Sequence, residues 1–345
     1  MVTSLAHLSL PQRPKDPPAD PWNSRAVLNR IRPTIQNSVT DGGHQRIFFA
    51  LGTPCRLVAN GPLPAVTAFF DAALIWVAHF EAKYSRYLTT SWISQLNAGA
   101  GVSTLESDPE TDRLLALCQE MHFLTRGIFD PTALPLIQVW DWKSGRIPSE
   151  SEINEAQRRV GWRRVERKIG SVRLTETGMA LDLGGMGKEY AVDQVSQLSA
   201  QFGLAGVLVD FGADIRVTGL PADGRPGWHI GLEDPQKPNS AWCGLAVHTA
   251  AVATSGDYLR HFKSEGRRFG HIIDVRTGRP VDTGCHCVHV LASTCTIAGM
   301  LSTAAFVLGP VQGLKLIETQ QGAAGSFHLD KQRISSRRFH EHVAT

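Results

Sequence analysis

The sequence predicts an α+β fold, a single mixed domain with antiparallel strands rather than a doubly wound sheet. Three observations carry this. A hydrophobic content of 42% in 345 residues is enough to fill a sizeable core. The second half runs strand, glycine turn, helix, strand, glycine turn and further strands, and no repeat of fixed period appears anywhere.

Residues 1 to about 40 are rich in Pro and polar groups and carry no sustained apolar period, which predicts a flexible tail and leaves 41–345 as the domain. From Arg46 the alternation Ile47, Phe49, Leu51, with Cys55, Leu57 and Val58 beyond, reads as a strand pair, and Pro64 to Tyr84 has apolar residues at helical spacing. Leu114, Leu115, Leu117, Cys118, Met121 and Leu124 mark an amphipathic helix that ends at Gly127. The stretch Ser149 to Lys168 suggests a helical insertion leading into short strands around Val172 and Met179 to Leu183. Then come a strand to Asp182, a helix from Lys188 to Phe202, a strand from Gly206 to Asp210 and strands through Val247 to Val252. A turn and helix start are expected at Ser255-Gly256-Asp257-Tyr258, and a buried helix from Thr296 to Leu308 ending at Gly309-Pro310.

Composition narrows the function. With 35 Lys+Arg against 32 Asp+Glu, a formal charge of +3 and no dense basic run, nucleic acid is a poor partner. No run of about 18 consecutive apolar residues stands out as a membrane span. The start, as written, lacks a basic segment followed by a long apolar one, so a cytoplasmic location is expected, or a periplasmic one if the natural N-terminus differs. The six cysteines form no CxxC pair. Cys285-His286-Cys287 would present both thiols on one strand face, but a closed structural zinc site takes four ligands and no second pair accompanies it.

Three segments could carry chemistry. Asp182-Leu183-Gly184-Gly185-Met186-Gly187-Lys188 joins a strand to a helix whose free N–H groups suit an anion, although most such turns are only structural. Lys188 is more telling, because a cation in a first turn opposes the helix dipole unless it neutralises something. Thr254, Ser255 and Asp257 suit helix caps or ligand contacts. His271, in His271-Ile272-Ile273-Asp274, reads either as a general base or as a core histidine.

Taken together and in order, these segments resemble the FAD:protein FMN transferases, the ApbE-type flavin-transferase family, over roughly residues 46 to 310. The matching blocks are Leu51-Gly52-Thr53, Tyr84 to Asn97, the complete GxFDPT at Gly127 to Thr132, Asp182 to Asp193, and Gly212-Ala213-Asp214. Ala253 to Tyr258, His271 to Val281 and Leu301 to Gly309 complete the set. The resemblance implies a fold with FAD in a cleft between two lobes. It also implies Mg²⁺-dependent cleavage of the FAD pyrophosphate, with FMN joined through its phosphate to a Thr or Ser hydroxyl of a target protein and AMP released. By the same carry-over Leu51, Tyr87, Ile128, Phe129 and Asp130 would hold the flavin and adenine parts, and Asp182 and Lys188 would face ribose and phosphates. Ile273 would pack the cofactor, and the Gly185 carbonyl with Ser302 and Thr303 would supply metal oxygens; for this chemistry His271, read from the residues themselves, is the catalytic candidate to deprotonate the incoming hydroxyl.

The chain departs from the family pattern where the metal should sit. The family places an Asp one turn before the metal-binding Thr, and here Gly299 stands in that place. A Mg²⁺ site is usually anchored by one or two carboxylates, so affinity should fall unless Asp274 or Asp282 reaches in, and Gly299→Asp should raise FAD cleavage. Trp92 replaces an acidic residue and Glu189 a glycine; Glu189 reads as a displaced ligand or as a first-turn acid favoured by the helix dipole. An active transferase, a non-catalytic FAD-binding carrier or maturation factor, and an FAD pyrophosphatase all remain open on the sequence alone.

Overall fold

The computed structural model describes residues 20–344. Its centre is a nine-stranded sheet in which every neighbouring pair is antiparallel. The strands, numbered within this sheet, are β1 (Gln36–Thr40), β2 (Gly43–Ala50), β3 (Thr53–Asn60), β4 (Gly206–Phe211), β5 (Asp214–Gly219), β6 (Ala250–Gly256), β7 (Cys285–Ala292), β8 (Ala324–Leu329) and β9 (Arg333–Ser335). Their spatial order is their chain order, so the sheet is one long meander from which other elements leave and return.

The excursion between β3 and β4 holds six helices: α2 (Leu63–Tyr84), α3 (Trp92–Ala98), α4 (Pro109–Leu124), α5 (Leu134–Val139), α6 (Glu150–Arg158) and α7 (Gly187–Leu198). α1 (Ser24–Ile31) precedes the sheet, and α8 (Cys295–Glu318) connects β7 to β8. Strand alternation sorts the two sheet faces. Cys55, Leu57, Ala59, Val207, Val209 and Phe211 join the core beneath α2, α7 and α8. Val58, Leu208, Ile215 and Val217 face the other way, onto the hairpin Trp228–Asp234 and Lys237–Val247. A smaller lobe is built where Leu136, Trp140, Ile153 and Ala156 meet Phe262, Phe269 and Ile273.

Most expected elements are present, with four differences. Part of the expected tail is ordered: residues 24–31 form α1, whose Val27 and Ile31 are buried, and residues 36–40 pair with β2, whereas residues 1–19 lie outside the described residues. In β2 the inward residues are Phe48 and Ala50, not Ile47 and Phe49, and Phe49 is exposed. Met179 to Leu183 is not a strand, and Ser255 to Tyr258 does not open a helix, since β6 continues through Gly256. The buried helix does break where expected: at Gly309 the backbone leaves helical geometry (φ 75°, ψ 173°) and resumes at Pro310, so α8 is two helices end to end.

α2 and α8 are long and apolar enough, by length and composition, to cross a membrane. Within the fold both are core helices, α8 lying on β6 and β7 and α2 against α1 and α7.

Candidate active site

The segment carrying Asp182 is held by side chains where a strand partner would otherwise be. Ser91 caps α3 by accepting from the Ser94 N–H, and at the end of that helix Asn97 treats Leu181 as a strand neighbour would. Its Nδ2 donates to the Leu181 carbonyl (2.9 Å) and its Oδ1 accepts from the Leu181 N–H (2.7 Å). The Asp182 N–H donates to the Pro131 carbonyl (2.8 Å). Asn97→Ala would leave both Leu181 groups unpaired, costing about 1–3 kcal/mol, and urea unfolding with limited proteolysis between residues 179 and 186 should register it. Unchanged cleavage there would refute the positioning role.

Asp130 is used in holding its loop. Its Oδ1 accepts from the Thr132 N–H (2.8 Å) and hydroxyl, its Oδ2 from the Trp162 N–H (3.1 Å), and Thr132 Oγ1 in turn accepts from the Gly161 N–H (2.7 Å). Asp130 thus serves first to hold its own loop, with Oδ2 accepting a single hydrogen bond, and the neighbouring Ile128 and Phe129 are buried, with Phe129 lying over Gly185. Asp182 Oδ1 accepts from the Gly184 N–H (3.0 Å) and stands 3.5 Å from Arg86 Nε. Arg86 also covers the exposed ring of Tyr87 and donates to its hydroxyl (2.9 Å). Trp92, the departure from the family's acid, is a core residue whose indole N–H donates to the Glu106 carbonyl (2.7 Å).

The meeting of α7 and α8 gathers several buried charges, among them Glu189, Asp193 and Asp214. Lys188 pairs with Asp214 of β5. Burial disfavours charge on the ammonium, but Asp214 and Glu189 outweigh that and hold its pKa above the ordinary value. The anion that Lys188 neutralises is thus first of all within the chain, and any phosphate would share it. Asp193, one turn after Glu189, caps α8: Oδ1 accepts from the Cys295 N–H (2.9 Å) and from Arg216 (2.6 Å), and Oδ2 from the N–H and hydroxyl of Thr296 (2.9 and 2.7 Å). This carboxylate satisfies donors that every helix start leaves open.

Glu189 lies between these pairs. It is buried, its Oε2 has no hydrogen-bond partner, and its pKa is pushed up by burial and by Asp214 against the pull of Lys188. The space it fills is the space Gly299 leaves: a Cβ at 299 would lie 2.5 Å from Glu189 Cγ and 2.9 Å from Oε1. The expected gain from Gly299→Asp is therefore overturned by packing, since the glutamate already stands there.

One turn along α8, Ser302 and Thr303 meet Ser255 of β6, whose hydroxyl lies 2.8 Å from Ser302 Oγ and 2.9 Å from Thr303 Oγ1. Ser302 also donates to the Gly299 carbonyl (3.0 Å), which leaves Thr303 the freer oxygen of the two. His271 donates from Nδ1 to the Arg260 carbonyl (3.2 Å), which assigns the tautomer and leaves Nε2 as an acceptor. Burial, then the charges of Arg260 and Lys188, pushes its pKa down to about 4, so the ring is neutral at physiological pH. Ile273 sits in a small hairpin opposite Pro280 and packs on the minor lobe. Leu51 occupies the β2–β3 turn with φ 53°, a left-handed conformation uncommon for such a residue, and its N–H donates to the buried Glu81 (3.0 Å).

The two acids that might have replaced the missing carboxylate are engaged elsewhere, Asp274 with Arg276 (2.8 Å) and the exposed Asp282 with Arg267 (3.5 Å). Sequence reasoning missed the α8 cap by Asp193 and the Asn97 clamp. The Cys285 and Cys287 thiols are buried and pushed up in pKa by that burial, Cys285 donating to the Cys287 carbonyl (3.1 Å). Among the described residues no group of three or more His, Cys, Asp or Glu is arranged to hold a metal. The grooves beside the C-terminal end of α7 and along β2 include none of the predicted site residues.

Comparison with known proteins places this geometry. Residues 51–327 match the sequence profile of the ApbE family. The chain is 30% identical to an FAD:protein FMN transferase of Treponema pallidum over 313 residues, 84% of this chain and 86% of that one. It is 30% identical to one of Haemophilus influenzae over 249 residues, 69% and 72% of the two chains. The crystal structure of the Thermotoga maritima ApbE protein superposes with a TM-score of 0.78 at 30% identity, covering 90% of this chain and all of the other. With the profile spanning most of its length and the fold shared throughout, this chain belongs to the ApbE family.

Proposed function

We propose that the protein is an FAD:protein FMN transferase that cleaves the FAD pyrophosphate with Mg²⁺ and joins FMN to a Thr or Ser hydroxyl of a target protein, releasing AMP. What carries this reading is family membership across residues 51–327 together with the gathering of the matching segments around the start of α7. By the family resemblance FAD would lie between the two lobes and be held by Leu51, Tyr87, Asp182 and Ile273, the last of these on the minor lobe.

The residues fit a hard divalent cation. The side-chain donors near the α7–α8 junction are oxygens, a buried carboxylate with a partnerless oxygen and a cluster of hydroxyls, and Mg²⁺ takes oxygen ligands. When bound, the metal supplies charge neutralisation at the pyrophosphate. The chain's own residues do the rest. Lys188 offers a cation at the start of α7. His271, neutral and fixed by its Nδ1–H, presents Nε2 to take the proton of the incoming hydroxyl. Gly299, where the family's carboxylate is missing, faces the Glu189 carboxylate of the opposite helix, which supports an active site over a non-catalytic carrier.

The test is incubation of the full chain with FAD and Mg²⁺, with and without a flavin-accepting domain, following AMP release and flavin fluorescence bound covalently to protein. The proposal expects both products only when acceptor is present. AMP formed equally without acceptor would identify a pyrophosphatase, and tight FAD binding with neither product a carrier.

A further inference from the structure

The buried charges around the start of α7 do not balance. Asp193, Glu189 and Asp214 are all buried, with Arg216 bound to the first and Lys188 to the last. One carboxylate is left over, and it is the one with a buried oxygen that nothing satisfies. A buried anion without a partner is costly, and such a group is neutralised by a proton or by a cation.

Its surroundings favour a cation. α7 and α8 face each other in antiparallel register: Asp193 meets Cys295 and Thr296, and one turn back along α7 Glu189 meets Gly299. One turn on from Gly299 along α8 stands Thr303, whose hydroxyl is held in place by Ser255. Gly299 admits the glutamate, since any side chain there would overlap its Cγ.

We infer that Glu189 is the carboxylate ligand of the metal site, delivered from α7 into the gap left by Gly299 on α8. The inference rests on the metal dependence proposed above. It treats Glu189 and Gly299 as one exchanged unit: the acid has moved from one helix to the facing one, and the site keeps a single carboxylate, lying against the α8 position one turn before Thr303.

The test compares the full chain with Glu189→Gln, Gly299→Asp and the double variant Glu189→Gly/Gly299→Asp, measuring Mn²⁺ binding by electron paramagnetic resonance in the presence of FAD, with circular dichroism to confirm folding. Wild type should bind Mn²⁺, Glu189→Gln at least ~10-fold more weakly. Gly299→Asp alone should bring no tighter binding and a lower melting temperature, and the double variant should return to within a few-fold of wild type. Folded Glu189→Gln binding Mn²⁺ as wild type does, or a folded double variant that fails to bind, would overturn the assignment. Absence of Mn²⁺ binding by wild type itself would overturn the metal reading beneath it, a distinct result.

Discussion

Asp193→Ala should destabilise the protein by about 3–5 kcal/mol, the range for removing one member of a buried, hydrogen-bonded ion pair. The loss has identifiable parts. Arg216 would remain in the interior without its partner, and the N–H groups of Cys295 and Thr296 would lose their acceptor at the start of α8. Asp193→Asn keeps the shape and one acceptor oxygen and should lose less. Urea unfolding of the two variants against wild type measures this, and a loss below 1 kcal/mol for the alanine variant would mean that water replaces the carboxylate. Because Asp193 also sets where α8 begins, the alanine variant should bind Mn²⁺ more weakly although Asp193 is not itself proposed as a ligand.

His271→Ala should lower the rate of flavin transfer by about 10²–10⁴, the usual contribution of a positioned general base, with FAD affinity changed much less. The wild-type pH profile supplies an independent check. With the imidazole pushed down to about 4, its base form is complete above about pH 5, so kcat/KM should be flat through neutrality and fall on an acid limb well below the ordinary histidine value of 6.5. A limb near 6.5, or a variant as fast as wild type, would remove His271 from the mechanism.

Stability should change in the same acid window. His271 and the buried His289 are both pushed down to about 4, chiefly by burial, whereas in the unfolded chain they titrate near 6.5. Between those values the unfolded state holds more protons, so stability present above pH 6.5 is lost as the pH falls towards 4. The slope is up to ~1.4 kcal/mol per pH unit for each histidine. Activity at low pH therefore has to be separated from unfolding by recording circular dichroism alongside the rates.

Local signals made the long helices legible in the sequence: α2 and α4 stand where apolar spacing placed them, and α7 and the first part of α8 where the glycine turns around them did. What they could not show were pairings between distant residues. Lys188 illustrates this. A first-turn cation does call for an anion, and the anion is Asp214, 26 residues on, which no local pattern connects to it. Asp130 was legible as part of a family motif, but only the fold shows both its oxygens turned inward to Thr132 and Trp162. Met179 to Leu183 reads as a strand in the sequence, but at its centre the Leu181 backbone is satisfied by a distant side chain, Asn97. Glu189 and Gly299 each look like an isolated departure until the helices are brought together, when one fills the space of the other.

That complementary fit limits how the two positions can change in descent. Aspartate arriving first at 299 would collide with the glutamate and crowd two acids into one volume. Glycine arriving first at 189 would leave a void and no acid at all. Neither single step is neutral, so a lineage that adopts one arrangement is held in it by the valley between them. Among relatives, the residue after the α7 lysine and the residue one turn before the α8 threonine should accordingly occur in two combinations, Glu with Gly or Gly with Asp, with the mixed forms rare.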